Sequence, residues 1–230
     1  MKKSFMMANA IMLALILILD VCYMFNGGLL LKSITSITFV ITGLINLRYC
    51  VKNKVHLKFS IWMIVALTFA MLGDILLGIN FYMGVAAFAI GHLFYIVSYC
   101  MLEKMNRRDL MCGMMISIVA LSIILFVPFF DFGSALMQGV CCIYGLIISF
   151  MLGKAVSNFL RENNFVNRII VVGSILFFFS DLMLVLRLFA DIPEASYLCL
   201  GTYYPAQFLL AFSLFAYAST NGIKQKKLAA

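Results

Sequence analysis

Residues 110–129 read LMCGMMISIVALSIILFVPF, a run without one charged side chain. An α-helix rises about 1.5 Å per residue, so a run of this length reaches across the roughly 30 Å hydrocarbon core of a bilayer. Seven other runs resemble it, at about 5–25, 28–48, 58–79, 81–101, 134–153, 167–189 and 196–219. Hydrophobic residues make up 65% of the 230 and charged residues 11%, about half the charged share of a soluble domain. So much apolar surface does not fit inside one soluble core and must face lipid, where only helices and closed barrels satisfy their own backbone. Barrel strands alternate polar and apolar over about ten residues, and these runs do not alternate. The expected fold is therefore all-α: a polytopic membrane protein with eight transmembrane helices in a single transmembrane domain, 1–230.

The breaks between runs carry turn or charge signals, among them Asn26-Gly27-Gly28, Gly78-Ile79-Asn80, the basic stretch from Arg48 to Lys58 and the stretch from Lys154 to Arg168. No break is long enough for a second domain. Lys2-Lys3 before the first run resembles a signal peptide. That run is long for one, and no small-x-small cleavage pattern follows near Val21-Cys22-Tyr23, so it is expected to stay as the first helix.

The net charge of +8 invites a nucleic-acid reading. Its distribution gives a better account. With the N-terminus inside, the odd-numbered inner segments hold Lys2, Lys3, Arg48, Lys52, Lys54, Lys58, Lys104, Arg107, Arg108, Lys154, Arg161, Arg168, Lys224, Lys226 and Lys227, and only Lys32 and Arg187 of the 17 basic residues fall on the other side. Cytoplasmic loops carry this excess, so N- and C-terminus are both expected in the cytoplasm and no nucleic-acid partner is expected. Seven cysteines form no CxxC pair, which points to packing residues rather than a zinc site or disulfide framework.

An ionisable side chain at bilayer depth costs several kcal/mol and marks a candidate site. Asp20 and Asp74 lie about 8 Å below the outer helix ends, Asp181 and Tyr204 about 12 Å, His92 and Gln207 about 16 Å, and Lys32 about 6 Å. These residues come from six of the eight runs and share the outer half of the membrane, as a polar cavity open to that side would require. His92 and Tyr95 share one helix face, and so do Tyr203 and Gln207. Structural alternatives exist for each: Asp74 or Asp181 paired with Lys32 or Arg187, Asp20 paired with Lys32, a packing role for His92, an interfacial place for Tyr203 and Tyr204, and an Arg187–Asp191 ion pair at a helix end. Gly73-Asp74-Ile75-Leu76-Leu77 and Ser180-Asp181-Leu182-Met183-Leu184 echo each other one four-helix unit apart, which suggests two parallel halves of four helices.

The sequence has no HExxH, GxSxG, Walker or GxGxxG-strand pattern. A metal held by Asp74, Asp181 and His92 is chemically conceivable, but only two histidines are present, and no metal or cofactor is expected.

Phe69-Ala70-Met71-Leu72-Gly73-Asp74-Ile75-Leu76-Leu77 and Ala87-Phe88-Ala89-Ile90-Gly91-His92-Leu93-Phe94-Tyr95-Ile96 resemble the YhhN family of membrane proteins, whose animal members are lysoplasmalogenases. Phe179-Ser180-Asp181, Arg187-Leu188-Phe189 and Thr202-Tyr203-Tyr204-Pro205-Ala206-Gln207 extend the likeness over most of the chain. The family's second helix usually opens Lys-Pro; here Lys32-Ser33 keeps the lysine and lacks the proline. The resemblance implies hydrolysis of the vinyl ether bond of a lysoplasmalogen, with a lysophospholipid as substrate and membrane lipid around the protein. Asp74, Asp181 and His92 are the candidate catalytic residues, and Lys32, Tyr95, Tyr203, Tyr204 and Gln207 the candidate substrate-binding ones. The alternative is a proton-coupled transporter or lipid-binding protein, since buried acids also serve transport. The expected location is a cell membrane, as in the cytoplasmic membrane of a bacterium.

Overall fold

The computed structural model describes residues 2–228, with side chains as far as 221. The chain forms eight helices: α1 (Lys2–Asn26), α2 (Leu29–Lys52), α3 (Lys58–Leu77), α4 (Phe81–Leu102), α5 (Arg107–Phe126), α6 (Ala135–Arg161), α7 (Phe165–Phe189) and α8 (Ala195–Leu228). All eight are long and apolar enough to cross a bilayer, and no strand occurs among the described residues. Lys224, Lys226 and Lys227, counted above for orientation, lie outside the described side chains.

Local chemistry sets the helix ends. Gly27 and Gly28 take φ of 66° and 91° between α1 and α2, a conformation in which side-chain-bearing residues are strained. Asn80, Ser134 and Asn164 cap α4, α6 and α7 by accepting the backbone N–H of Met83, Met137 and Asn167. Asn106 and Asp109 form a reciprocal capping box at the start of α5.

The helices pack as hairpins, α3 on α4, α5 on α6 and α7 on α8, with α8 also against α1, α2 and α3. Small residues permit the close crossings. A Cβ on Gly84 of α4 would come within 2.5 Å of the Leu77 Cα at the end of α3, and one on Gly153 of α6 would overlap the backbone of Gly113 in α5. Asn9 and Asn46 exchange amide hydrogen bonds of 2.8 Å, and Asn46 also donates to the Ala211 carbonyl at 3.0 Å, which joins α1, α2 and α8. The helix contacts partly repeat under a shift of four: α2·α3 matches α6·α7, α3·α4 matches α7·α8, and α2·α8 matches α4·α6. The α1·α8 contact has no counterpart between α5 and α4 among the described residues.

The sixth helix corrects one expectation. The stretch from Lys154 to Arg168 is not a loop: α6 continues to Arg161 and the break is confined to residues 162–164. Lys154 is a helical residue only 1% exposed, not a solvated loop cation. Its ammonium donates to Asp109 Oδ2 at 2.7 Å and to the carbonyls of Glu103 and Lys104 at 2.7 and 3.3 Å. Ser157 donates to Asp109 Oδ1 at 2.5 Å, and Arg161 reaches the same oxygen at 3.4 Å. With three acceptors ready, burying the charge keeps the helix going instead of ending it. Removing one member of a buried ion pair strands the other, at a cost of about 3–5 kcal/mol. Lys154→Met should therefore destabilise the detergent-purified protein by about 3–5 kcal/mol and lower its thermal midpoint, while Lys104→Met, at an exposed position, should leave the midpoint nearly unchanged.

Candidate active site

A cavity of about 150 Å³ lies at the end of the bundle where α1, α3, α5 and α7 stop and their partners begin. Its wall is mostly apolar, with Leu77, Phe81, Val85, Phe88, Ile124 and Ile148. Lys32, Asp74, Tyr144, Asp181, Arg187 and Tyr203 bring polar groups to the same wall. Few polar groups set in an apolar concavity is the usual make-up of a small-molecule site.

Asp74, on the last turns of α3, is 3% exposed. Its Oδ2 accepts from Ser36 at 2.6 Å and from Tyr203 at 2.7 Å, and the Lys32 ammonium stands 3.4 Å from Oδ1. Lys32 and Ser36 are one turn apart on α2, so both side chains point to the same neighbour. Three donors surround this carboxyl, and it serves as an acceptor to all of them.

Asp181, on α7, has a different setting. The Tyr144 hydroxyl of α6 meets its Oδ2 at 2.5 Å and His92 Nε2 at 2.8 Å. His92 Nδ1 lies 3.2 Å from Met151 Sδ. The Asp181 side chain keeps 16% of its surface exposed against 4% for Asp74, so it is the more open of the two acids to whatever fills the cavity. Among the described residues no lysine or arginine lies at ion-pair distance from it, and His92 Nε2 stands 3.7 Å from Oδ2. Phe177, fully buried, is wedged between the two networks, its ring centroid 4.7 Å from His92 and 5.3 Å from Tyr203.

Of the residues singled out in the sequence, Lys32, Asp74, Asp181 and Tyr203 line the cavity. His92 stands behind the wall and reaches it through Tyr144. Tyr95 and Gln207 are fully buried behind it as well and bond to each other, phenol to amide oxygen, at 2.8 Å. Tyr204 is fully buried. Two structural expectations fail. Asp20 does not pair with Lys32, because the lysine turns to Asp74; Asp20 is buried, and its Oδ1 has no hydrogen-bond partner among the described residues. Arg187 and Asp191 form no ion pair among the described residues. Asp191 lies past the Ala190 C-cap with φ of 51°, so four residues of separation no longer place the two on one helical face.

Tyr144 and Ser36 were not foreseen. Ser36 follows Lys32 by one turn, and Tyr144 is a lone phenol in the middle of an apolar run, the same signal that marked His92. Among the described residues no three His, Cys, Asp or Glu side chains converge as a metal site would need. No curated protein and no solved structure matches the chain. The YhhN family model matches residues 27–214, a span that contains both aspartates, the histidine and every side chain that bonds them, and the chain belongs to the YhhN family.

Proposed function

We propose that this YhhN protein is a membrane-embedded hydrolase that cleaves the vinyl ether bond of a lysoplasmalogen to a fatty aldehyde and a glycerophospho-alcohol. One observation carries the reading: two carboxyl groups from different helices share an apolar cavity, one surrounded by donors and the other tied to a phenol and an imidazole.

The reaction needs that asymmetry. Hydrolysis of a vinyl ether starts with protonation of the β-carbon: the π electrons form the new C–H bond, and an ether-oxygen lone pair stabilises the resulting oxocarbenium ion. Water then adds, and the hemiacetal collapses as its hydroxyl proton leaves and the alcohol oxygen gains one. A carboxylic acid must therefore donate and a carboxylate must stabilise the cation and take a proton from water. Two acids in different surroundings divide such work. Asp74, set as an acceptor by Ser36, Tyr203 and Lys32, suits the carboxylate role. The apolar wall suits the alkenyl chain, and the distribution of basic residues supports a cavity facing the outer side of the membrane.

For the phosphate, the reading moves from Lys32 to Arg187. Lys32 is engaged by Asp74, whereas Arg187 lines the cavity with no carboxylate within 4 Å among the described residues. A guanidinium also offers the planar fork that phosphate oxygens accept. Tyr95, Tyr204 and Gln207, lying behind the wall, would support Tyr203 and His92 without touching substrate.

Detergent-purified protein should release aldehyde from a lysoplasmalogen, and Asp74→Asn or Asp181→Asn should each lower kcat at least about 100-fold. Full activity in a folded Asp181→Asn variant would sink the pair. Arg187→Gln should raise KM about tenfold with a much smaller change in kcat, as loss of a charged hydrogen bond made equally in ground and transition states requires.

A further inference from the structure

Tyr144, His92 and Met151 form a chain whose proton count can be worked out atom by atom. A thioether sulfur only accepts, so the 3.2 Å contact with Met151 Sδ places a proton on His92 Nδ1. The Tyr144 hydroxyl has one proton for two neighbours, His92 Nε2 at 2.8 Å and Asp181 Oδ2 at 2.5 Å. If that proton points to Asp181, Nε2 must supply its own to the phenol oxygen: the imidazole is then protonated and Asp181 is a carboxylate. If it points to Nε2, Asp181 must supply one: the imidazole is then neutral and Asp181 is a carboxylic acid. Both arrangements hold the same number of protons. They interconvert when one proton crosses from Nε2 to the phenol oxygen and another crosses from the phenol to Oδ2. At 3.7 Å the direct His92–Asp181 separation is too long for a hydrogen bond, so the phenol is the connection.

We propose that Tyr144 is a relay that loads Asp181 with a proton held on His92, which makes Asp181 the acid of the pair and Tyr144 its positioning residue. The proposal deepens the hydrolase reading and rests on it for the proton's destination. His92 is 1% exposed and off the cavity wall, so it stores a proton without meeting substrate, while Asp181 and Tyr144 are on the wall. Loading comes first: the Nε2 proton crosses to the phenol oxygen as the phenol proton crosses to Oδ2, which leaves His92 neutral. The Asp181 O–H then breaks as the substrate C–H forms, and Asp181 is left a carboxylate. The proton that water loses goes to Asp74, which returns it to the leaving alcohol oxygen, and the proton lost from the hemiacetal hydroxyl passes through Asp181 and Tyr144 back to Nε2. The sum is one substrate plus one water giving aldehyde and alcohol.

The other ionisable groups around Asp181 are Cys141 of α6, Cys199 and Tyr203 of α8, Asp74 of α3, Lys32 of α2, Tyr23 of α1 and Arg187 of α7 itself. None of them hydrogen-bonds Asp181 among the described residues, so coupling through hydrogen bonds is confined to Tyr144 and His92.

Dicyclohexylcarbodiimide, which attacks protonated carboxyls in apolar surroundings, reads the acid form of Asp181 directly. The full chain in lipid nanodiscs is labelled across a pH series, and the adduct at Asp181 is quantified by mass spectrometry, with Asp181→Asn as the blank. Tyr144→Phe should move the labelling midpoint by at least tenfold in proton concentration. His92→Gln should move it by a similar amount, and the double variant no further, the non-additivity expected of one connected unit. Should His92→Gln fail to fold, Tyr144→Phe alone decides. An unchanged profile in Tyr144→Phe, or shifts that simply add, overturns the relay. A coupled profile in a protein that releases no aldehyde from lysoplasmalogen keeps the relay and removes the substrate reading. Aldehyde release with an uncoupled profile does the reverse.

Discussion

A carboxyl group inside a bilayer has no bulk water to solvate it, so at the two acids of the cavity donors from the protein take the place of water. The architecture around the cavity follows from that constraint. Asp74 on α3 is met by Lys32 and Ser36 from α2 and by Tyr203 from α8. Asp181 on α7 is met by Tyr144 from α6, with His92 of α4 behind it. Helix association in lipid gains little from the hydrophobic effect, because lipid tails are as apolar as leucine. Packing of small residues and interhelical hydrogen bonds therefore position the helices, and the groups that do so around the cavity are the ones assigned to chemistry.

The two networks correspond under the same four-helix shift as the helix contacts. Each aspartate draws its partners from the helix before its own and from one more distant helix: α2 and α8 for Asp74, α6 and α4 for Asp181. The partners differ in chemistry. One acid sits among an ammonium and two hydroxyls, the other at the end of a phenol–imidazole chain. Phe177 between them keeps the networks distinct while leaving both acids on one wall. The buried Lys154–Asp109 pair lies at the opposite end of the bundle and fastens α5 to α6, the helix that carries Tyr144.

Much of the site was legible because polar residues are costly in a spanning helix, so their presence is informative without any fold. Asp74, Asp181, His92 and Tyr203 could be singled out in that way. Partner identity was not legible. Lys32 sits near the start of the second run, and depth alone allows Asp20 or Asp74 as its mate. Arg187 and Asp191 have helical spacing, yet the helix ends between them. Lys154 looked like a loop cation because a charge beside an apolar run usually is one. The Asp109 carboxylate and two free carbonyls that let it stay buried come from other elements.

Run length and composition determined the eight helices on their own, because the free energy of placing a segment in hydrocarbon is close to a sum over its residues. The short turns, the caps and the depth of each polar group follow from local sequence in the same way. Only the tertiary structure decided which groups meet. A mid-helix tyrosine such as Tyr144 has a depth given by its position in the run, but the direction it faces depends on the rotation of α6 about its axis. That rotation is settled by Gly153 against Gly113 and by the neighbours on α4 and α7. The pairing of a phenol with both an imidazole and a carboxyl is thus a property of four packed helices and is written in none of them alone.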